Sequence, residues 1–258
     1  MRGVDLAVRP YPRGGVRPLV YAHRGASAQA PENTLEAFAL AASEGADGIE
    51  LDVMCCGSGE VVVVHDAWLE RLADEPVCVL TTPLAKLRQV NVARHFAAWP
   101  RAERIPTLDE VLEAAPSLRV NIELKEDRLD DRGLAHKVAA AVRAHRAVER
   151  VVISSFNAVE LVRMRAFAPR FPLGYLFEAE QPAAARSGLF APLLGAQAVH
   201  PEHTLLSAAR VRAWHAAGFA VATWTVDDPD RARQLAAFGV DALITNRPRR
   251  IREALGLT

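Results

Sequence analysis

The amino-acid sequence predicts a single (β/α)8 TIM barrel with a β-hairpin excursion after the second strand. Short apolar runs alternate with helical segments along most of the chain, which is typical of a parallel sheet. Eight of these runs count as parallel strands, and a ninth is left over as the return arm of a hairpin. An open doubly wound sheet is the main alternative, but no glycine-rich phosphate loop follows the first strand. The chain has 258 residues, 50% of them hydrophobic, so it can bury the core of one barrel-sized domain over residues 1–258.

The order of the elements follows from periodicity and from glycine and proline punctuation. An apolar run at 19–22 ends in His23, which places this histidine at the carboxyl end of the first strand. The strands predicted after the hairpin are Arg119 to Leu124, Val151 to Phe156, Phe171 to Phe177, Gln197 to His200, Ala220 to Val226 and Ala242 to Thr245. The helices predicted after it are Leu84 to Val90, Leu108 to Ala115, Arg132 to Arg146, Ala158 to Phe167, Pro182 to Ser187, Ser207 to Ala217 and Asp230 to Phe238.

Two of the helices carry boundary signals. Asn33 is placed to cap the first helix, with Glu36 three residues further on, and Gly45 stops that helix. Thr107 and Glu110 form a capping box at the start of a later helix. The helix positions around the first two strands are therefore well defined.

Apolar and acidic residues alternate strictly around Glu50 and Asp52. Because strand side chains alternate between faces, these two carboxylates point the same way, about 7 Å apart along the chain. If the hairpin is centred at 57–58, Glu50 lies opposite His65. Two inward carboxylates must be neutralised, protonated or bound to a cation, and oxygen ligands suit Mg²⁺ or Ca²⁺. The alternative is that both acids pair with arginines on an exposed face of the hairpin.

A later strand carries Asn121, Glu123 and Lys125 on one face. In a TIM barrel the functional residues collect at the carboxyl ends of the strands. Glu123 can therefore complete an acid triad with Glu50 and Asp52, and Lys125 can hold a phosphate or act as a base. The alternative is a salt bridge inside the barrel.

Polar and aromatic residues also occur at other strand ends. Trp224 can either wall a small-molecule pocket or fill the core, and His200 can either line a pocket or anchor a loop. The remaining candidates are Ser154, Ser155, Phe156, Asn157, Glu178, Thr225, Thr245 and Asn246.

The stretch from Leu69 to Pro106 is the least regular part of the chain. Trp68, His95 and Trp99 lie in or beside it. It is predicted as a loop that these aromatic rings pack over the barrel rim, the alternative being a cap that contacts substrate.

The overall charge excludes several classes of partner. Lysine plus arginine equal aspartate plus glutamate at 31 each, so no global field favours nucleic acid or an anionic membrane. Residues Met1 to Arg17 lack the apolar core of a signal peptide, and no run is long enough to span a membrane. We therefore expect a cytoplasmic protein without stable membrane insertion. In that compartment Cys55, Cys56 and Cys78 are expected to be reduced, structural thiols. The oligomeric state is not indicated.

Short blocks of charged and aromatic residues follow one another along almost the whole chain. They are Ala22-His23-Arg24-Gly25, Pro31-Glu32-Asn33-Thr34, Glu50-Leu51-Asp52-Val53, Val64-His65-Asp66, Ile122-Glu123-Leu124-Lys125 and Trp224-Thr225-Val226. In this order and spacing, the blocks resemble the glycerophosphodiester phosphodiesterases, a family related to the phospholipase C-like barrel enzymes. Any one block is a weak signal, whereas the combination is highly specific.

The resemblance implies an enzyme, a phosphoric diester hydrolase. It implies metal-dependent hydrolysis of a small-molecule glycerophosphodiester to glycerol 3-phosphate and an alcohol. One divalent cation, Mg²⁺ or Ca²⁺, would be held by Glu50, Asp52 and Glu123. The glycerol 2-hydroxyl would attack phosphorus and give a cyclic phosphate, which water then opens.

The resemblance also implies roles for the basic residues. His23 and His65 would carry the acid–base work, and we assign the acid to His23 and the base to His65. Arg24 and Lys125 would hold phosphate oxygens. Trp224 would face the glycerol part of the substrate.

The chain departs from the family pattern at several places. The usual threonine and Asp-Gly turn after the second strand is replaced by residues 54–59, and a common pair of threonines is replaced at 72–73. Asp227 stands where asparagine is frequent, and Asn246 stands where aspartate is common. These changes affect the expected alcohol side of the substrate and the shape of the rim loop.

Three other functions are considered. A lysophospholipase D needs a large apolar patch beside the site, for which the candidates are Phe177, Leu189 and Phe190. A Mg²⁺-dependent barrel lyase or isomerase would use Lys125 as its base, but it leaves both histidines without a task. A binding protein without turnover is suggested only by the altered loops.

Overall fold

Eight parallel strands close into a barrel in the computed structural model, which describes residues 11, 17–97, 99–125 and 132–257. Within these residues the strands are β1 Leu19–His23, β2 Gly48–Cys55, β3 Val61–Val63, β4 Arg119–Leu124, β5 Val151–Ser155, β6 Leu173–Phe177, β7 Ala198–Pro201, β8 Ala220–Thr223 and β9 Ala242–Thr245. Around the barrel the order is β1, β2, β4, β5, β6, β7, β8, β9 and back to β1. The antiparallel strand β3 lies beside β2 as the hairpin arm. The predicted TIM barrel is therefore confirmed.

The helices of the described residues connect successive barrel strands or pack over the hairpin. They are α1 Leu35–Ser43, α2 Glu70–Ala73, α3 Leu84–Leu87, α4 Leu108–Ala114, α5 Leu134–Ala144, α6 Ala158–Phe167, α7 Ala208–Ala216, α8 Pro229–Phe238 and α9 Pro248–Ala254. The predicted bounds of β4, β9 and α6 agree residue for residue with the structure. The stretch predicted as a short helix over Pro182 to Ser187 contains one 3-10 turn, and α9 was not predicted. No described helix has both the length and the apolar character needed to cross a bilayer.

The prediction for the amino-terminal stretch is largely outside the described residues. Of the residues from Met1 to Arg17, only Tyr11 and Arg17 are described. The Tyr11 side chain is fully buried and lies 3.1 Å from His200 through its hydroxyl group. Tyr11 therefore contributes to the barrel interior from outside the strands.

The register of the hairpin differs by one residue from the prediction. Val53 pairs with Val63 and Cys55 pairs with Val61, which centres the turn on Ser58. The backbone N–H of Cys56 donates to the carbonyl of Glu60, so residues 57–59 form a three-residue turn. Gly59 adopts the positive φ of 99° within this turn, a conformation that glycine tolerates. The predicted pairing of Glu50 with His65 is therefore wrong.

The first helix is capped by the residue after the predicted one. The Thr34 hydroxyl accepts a hydrogen bond from the backbone N–H of Ala37, whereas Asn33 sits at φ 57° with its side chain turned inward. The predicted cap at Asn33 is therefore wrong, because its side chain is committed to a carboxylate inside the barrel. The stop at Gly45 and the capping box of Thr107 are both confirmed.

Segment 69–106 packs over the hairpin through aliphatic side chains rather than aromatic ones. Met54, Cys56 and Val62 of the hairpin form a second apolar core with Leu69, Leu72, Val79, Leu87 and Ile105. Trp68, one of the rings predicted to do this packing, is 55% exposed. Aliphatic side chains, with Met54 and Cys56, therefore form the core on the outer side of the hairpin, and none of its members is aromatic.

Large rings fill the amino-terminal end of the barrel. Tyr21 and His200 are buried, and the glycines opposite them make room for their rings. A Cβ added at Gly174 would lie 2.4 Å from the His200 imidazole, closer than van der Waals contact allows. The predicted pocket role of His200 is wrong, because β6 leaves a space for its ring in the core. Its contact with the Tyr11 hydroxyl, in the segment before β1, agrees with the alternative role of an anchor.

Replacement of Gly174 by alanine is expected to lower the free energy of unfolding. The added methyl group overlaps the His200 ring, and such overpacking costs about 1–3 kcal/mol. Denaturant unfolding of G174A, H200A and the double variant measures the coupling. The cost of G174A should be smaller in the H200A background, and an equal cost in both backgrounds would contradict the overlap.

Candidate active site

Three buried carboxylates meet at the carboxyl ends of β2 and β4. The two strands are neighbours in register, with Glu50 beside Asn121 and Asp52 beside Glu123. Oxygen atoms of Glu50, Asp52 and Glu123 lie within 4.8 Å of one another. Strand alternation brings the first two together, and the parallel neighbour supplies the third. The acid triad expected from the sequence is thus assembled in one place.

Burial and mutual repulsion act on these acids. Burial raises the pKa of Glu50 well above its usual range, and the charges of Asp52 and Glu123 raise it further. Burial and the charge of Asp52 raise the pKa of Glu123 to about 7, against the opposing effect of Lys125. The triad therefore holds more negative charge than its surroundings stabilise.

Asp52 is the member of the triad that stays most readily ionised. Burial opposes its ionisation, but the charges of Arg24, His65 and Lys125 outweigh burial and lower its pKa. Arg24 Nε lies 3.2 Å from Asp52 Oδ2, and the Asn33 amide donates to the same oxygen at 3.0 Å. Asp52 is thus held by direct ionic and hydrogen-bonding contacts.

Two cationic side chains lie within the site. Arg24 also contacts Glu32 at 3.0 Å, and Lys125 Nζ lies 3.1 Å from Glu123 Oε1. Glu50, by contrast, is contacted by the backbone N–H of Arg24 at 3.2 Å and by His23 Nε2 at 3.9 Å. The positive charges are therefore directed mainly to the other two acids of the triad.

The donor set fits a divalent cation. Three carboxylates can offer oxygen ligands to one ion, and hard cations prefer such ligands. Beside Glu50, the buried Asn121 Oδ1 atom has no hydrogen-bond donor among the described residues. A buried oxygen without a donor and a partly uncompensated acid are both features that a bound cation would satisfy.

His23 reaches the same cavity from the end of β1. Its Nδ1 atom lies 2.7 Å from Asn246 Oδ1, and its Nε2 atom is directed to Glu50. Burial and then the charge of Arg24 lower the pKa of His23, partly opposed by the Asn246 contact. The neutral imidazole is therefore favoured, with Nε2 facing the cavity.

His65 is oriented by groups on both sides. Its Nδ1 atom lies 2.6 Å from Asp66 Oδ1, and Lys125 Nζ lies 3.1 Å from its Nε2 atom. Arg71 donates to the second oxygen of Asp66 at 2.6 Å. Although the hairpin register is shifted from the prediction, His65 still faces the cavity, since it follows the end of β3.

The histidines and two of the triad acids line a cavity of about 330 Å³. Its apolar wall includes Trp224, whose indole N–H donates to the His200 carbonyl at 2.9 Å, and Phe156, whose ring lies edge-on to the indole at 5.4 Å. The predicted wall position of Trp224 agrees with this placement. The lining residues are His23, Arg24, Glu50, His65, Asn121, Glu123, Lys125, Phe156, Leu176, Glu178, Gln181, Trp224 and Ile244.

Some strand-end candidates lie elsewhere. Ser154 is buried, and the Ser155 hydroxyl donates to the Leu124 carbonyl at 2.9 Å. The Thr245 hydroxyl donates to Asp227 at 2.9 Å. The hydroxyl groups of Ser155 and Thr245 thus hold strand ends, and none of the three residues lines this cavity.

Sequence reasoning missed three groups that support the site. Arg71 binds Glu32 across 39 positions of sequence, and no local pattern signals such a pair. Asn33 was assigned to a helix cap, although an asparagine after a proline-led turn also suits a positive φ. Asn246 was named as a strand-end candidate without a role, and its partner Asp227 was noted only as a departure from a family pattern.

A comparison with protein families identifies one match. The family model described as the glycerophosphoryl diester phosphodiesterase family matches residues 23–250 of this chain. The match begins at His23 and includes the acid triad, His65 and Trp224. The whole site therefore lies within the matched span.

Individual relatives and solved structures give a consistent result. A glycerophosphodiester phosphodiesterase of Caldanaerobacter subterraneus subsp. tengcongensis is 33% identical over 240 residues, covering 90% of this chain and 96% of the relative. A glycerophosphodiester phosphodiesterase of Bacillus altitudinis is 30% identical over 236 residues, covering 90% of this chain and 95% of the relative. The structure of an Oleispira antarctica phosphodiesterase in complex with the product sn-glycerol-3-phosphate is 32% identical, with a TM-score of 0.84 over 93% of this chain and 97% of that one.

Replacement of Glu32 by glutamine is expected to destabilise the protein in a pH-dependent way. Burial opposes ionisation of Glu32, but Arg71 and Arg24 outweigh it and lower the pKa from 4.5 to about 2. The ionised carboxylate therefore contributes about 2–3 kcal/mol above pH 4.5, and this contribution is lost as the pH falls toward 2.

Denaturant unfolding of E32Q between pH 7 and pH 3.5 measures this effect. The difference from the unsubstituted protein should be constant near pH 7 and should shrink below about pH 4.5. The matched control is E36Q, since Glu36 forms an exposed ion pair with Arg101 at 2.6 Å and such pairs contribute about 0–1 kcal/mol. A pH-independent loss in E32Q would contradict the assignment.

Proposed function

The chain belongs to the glycerophosphoryl diester phosphodiesterase family and is a phosphoric diester hydrolase, and we propose that it hydrolyses glycerophosphodiesters to glycerol 3-phosphate and an alcohol. The observation that carries the proposal is the convergence of two acids of the triad, two histidines and two cationic side chains on one cavity. Each of these groups answers a requirement of phosphodiester hydrolysis. A related structure contains sn-glycerol-3-phosphate as its product, which is the product proposed for this chain.

We propose that Glu50, Asp52 and Glu123 hold one divalent cation, Mg²⁺ or Ca²⁺. When bound, the cation would offset the negative charge that develops on the phosphoryl oxygens. The buried oxygen of Asn121 is directed to the same cavity and supports this assignment. Asp52 is ionised without the cation, whereas the raised pKa values of Glu50 and Glu123 indicate that these two carboxyl groups respond to its binding.

The proton transfers are assigned to His23 and His65. Both rings have Nδ1 engaged by an oxygen acceptor, which leaves Nε2 as the nitrogen for proton exchange. At His65 the Lys125 ammonium group, 3.1 Å from Nε2, would have to move to a phosphate oxygen first. The glycerol 2-hydroxyl loses its proton to one histidine as its oxygen bonds to phosphorus. The bond from phosphorus to the alcohol oxygen breaks, and the other histidine protonates that oxygen. Water then opens the cyclic phosphate with the roles of the histidines exchanged.

The remaining residues would bind the substrate. Arg24 and Lys125 carry the positive charge needed beside phosphate oxygens, and both line the cavity. Trp224 presents an apolar face to the cavity, with its N–H group already bonded to a backbone carbonyl. We therefore place the carbon skeleton of glycerol against Trp224.

The other functions are less well supported by the structure. Burial lowers the pKa of Lys125, but Glu123 and Asp52 outweigh it and raise the value, so Lys125 is a poor proton-abstracting base for a lyase or isomerase. Phe177, one of three residues considered for an acyl-binding patch, is fully buried. Leu189 and Phe190 are exposed but are not among the residues that line the cavity. The lysophospholipase D alternative therefore loses its expected surface.

Purified protein is expected to release glycerol 3-phosphate from a panel of small glycerophosphodiesters when Mg²⁺, Ca²⁺ or Mn²⁺ is present. Removal of divalent cations with a chelator should abolish the activity, because the triad then loses its counter-charge. Coupled detection of glycerol 3-phosphate measures the rate. The variant E123Q should lose metal-dependent activity, whereas the matched control E36Q, on an exposed ion pair, should keep it. Absence of turnover under every metal condition would contradict the proposed function.

The two histidines can be distinguished by the leaving group. Replacing either by alanine is expected to lower kcat on glycerophosphocholine by roughly two to four powers of ten. If His23 is the acid, H23A should recover fast release of nitrophenol in the first turnover of the nitrophenyl ester of glycerol 3-phosphate, since that leaving group needs no proton and the substrate keeps the attacking hydroxyl group. H65A should stay slow on both substrates. Recovery in H65A instead would exchange the two roles, and near-normal kcat in either variant would remove that histidine from the mechanism.

A further inference from the structure

A chain of hydrogen bonds runs from His23 to a carboxylate that does not line the cavity. His23 Nδ1 lies 2.7 Å from Asn246 Oδ1, and Asn246 Nδ2 donates to Asp227 Oδ2 at 2.6 Å. We propose that Asp227 is a positioning residue that sets the direction of the Asn246 amide and thereby decides which nitrogen of His23 carries the proton. The inference rests on the proposed function in so far as His23 exchanges a proton with substrate.

Asp227 is surrounded by donors. Its Oδ1 atom accepts from the Thr245 hydroxyl at 2.9 Å and from the backbone N–H of Asn246 at 2.8 Å. The Thr245 oxygen itself accepts from the backbone N–H of Arg247, so its own proton is available for Asp227. With the Asn246 amide, three donors surround this carboxyl group, so both of its oxygens act as acceptors.

An acceptor-only carboxylate can face only one end of an amide. The NH₂ group of Asn246 must point to Asp227, and its carbonyl oxygen therefore points to His23. A carbonyl oxygen facing Nδ1 requires a proton on Nδ1. The Nε2 atom is then left with its lone pair directed into the cavity, and it must take up a proton before His23 can act as the acid.

The other neighbour of the amide does not impose a direction. The Ser27 hydroxyl oxygen lies 2.8 Å from both Asn246 Oδ1 and the His23 carbonyl. A hydroxyl group can donate to an amide oxygen or accept from an amide NH₂ group, so Ser27 tolerates either orientation. The direction of the Asn246 amide therefore depends on Asp227.

Substitution of Asp227 by asparagine should reverse the direction of the Asn246 amide. The introduced amide would keep its oxygen for Thr245 and the backbone donor, and would present its NH₂ group to that of Asn246. Two donors facing each other are unfavourable, and rotation of the Asn246 amide relieves them. The rotated amide presents NH₂ to His23, which moves the imidazole proton to Nε2.

The reciprocal exchange of the two residues, D227N/N246D, should restore an acceptor oxygen opposite His23 Nδ1. In D227N/N246D, the new carboxylate at position 246 accepts from His23 Nδ1 and from the new amide at position 227. The amide oxygen at position 227 still accepts from Thr245 and the backbone N–H. Every hydrogen bond of the original chain is thus retained with the same donors on His23, whereas N246D alone sets two carboxylates against each other.

The experiment compares D227N, N246D and D227N/N246D by steady-state kinetics with Mg²⁺ and a glycerophosphodiester. We expect kcat to fall roughly 10- to 100-fold in D227N with little change in KM, since removal of the partner that orients a functional histidine has effects of this size. The double variant should recover to within about 3-fold of the unsubstituted protein. The matched control is D228N, which removes the neighbouring charge but keeps the helix cap, since asparagine also caps well.

A second readout does not depend on activity. The ¹⁵N chemical shifts of the His23 ring, measured in labelled protein with Mg²⁺ and assigned with H23A, report which nitrogen is protonated. Nδ1 should carry the proton in the unsubstituted protein, in D228N and in the double variant, and Nε2 should carry it in D227N. An unchanged tautomer and kcat in D227N, or a double variant no better than its worse parent, would overturn the proposal. If the protein hydrolyses no glycerophosphodiester, the tautomer comparison still decides the role of Asp227.

Discussion

The burial of three like charges at one mouth of a parallel barrel is the constraint on which the rest of the site depends. Carboxylates removed from water are stabilised only by cations and hydrogen-bond donors. Arg24 and Lys125 supply part of this charge, and Asn33 supplies a donor to Asp52. Under the proposed function, Arg24 and Lys125 would both hold the acids in place and bind the phosphate of the substrate.

The barrel makes this arrangement possible because its strands present side chains in fixed register. Asp52 and Glu123 are paired neighbours on adjacent strands, so neither depends on a loop for its position. His65, by contrast, follows a short hairpin strand, and the second apolar core holds that strand from outside. Residues of segment 69–106 therefore act on the site through packing of the hairpin.

Much of the fold could be predicted from sequence, because strand alternation and helix caps are local properties. The strand bearing Glu123 and the capping box at Thr107 were found to the residue. The acids and histidines that converge on the cavity were found from alternation and from position at strand ends, and a family resemblance named the same residues. The hairpin register was missed by one residue, since it depends on the backbone angle of Gly59, which composition does not specify. The pocket role of His200 was wrong because the space for its ring is created by a glycine on the neighbouring strand.

The rings of Tyr11, Tyr21 and His200 occupy the barrel end opposite the cavity. Among the described residues these rings close that end of the barrel, so under the proposed function substrate and products would share the opening of the cavity that Lys125 and Trp224 line. In a two-step reaction through a cyclic phosphate, a shared opening fixes the order in which molecules enter and leave the cavity. The alcohol product must leave through the opening before water can reach phosphorus by the same path. Glycerol 3-phosphate is then the last molecule to be released.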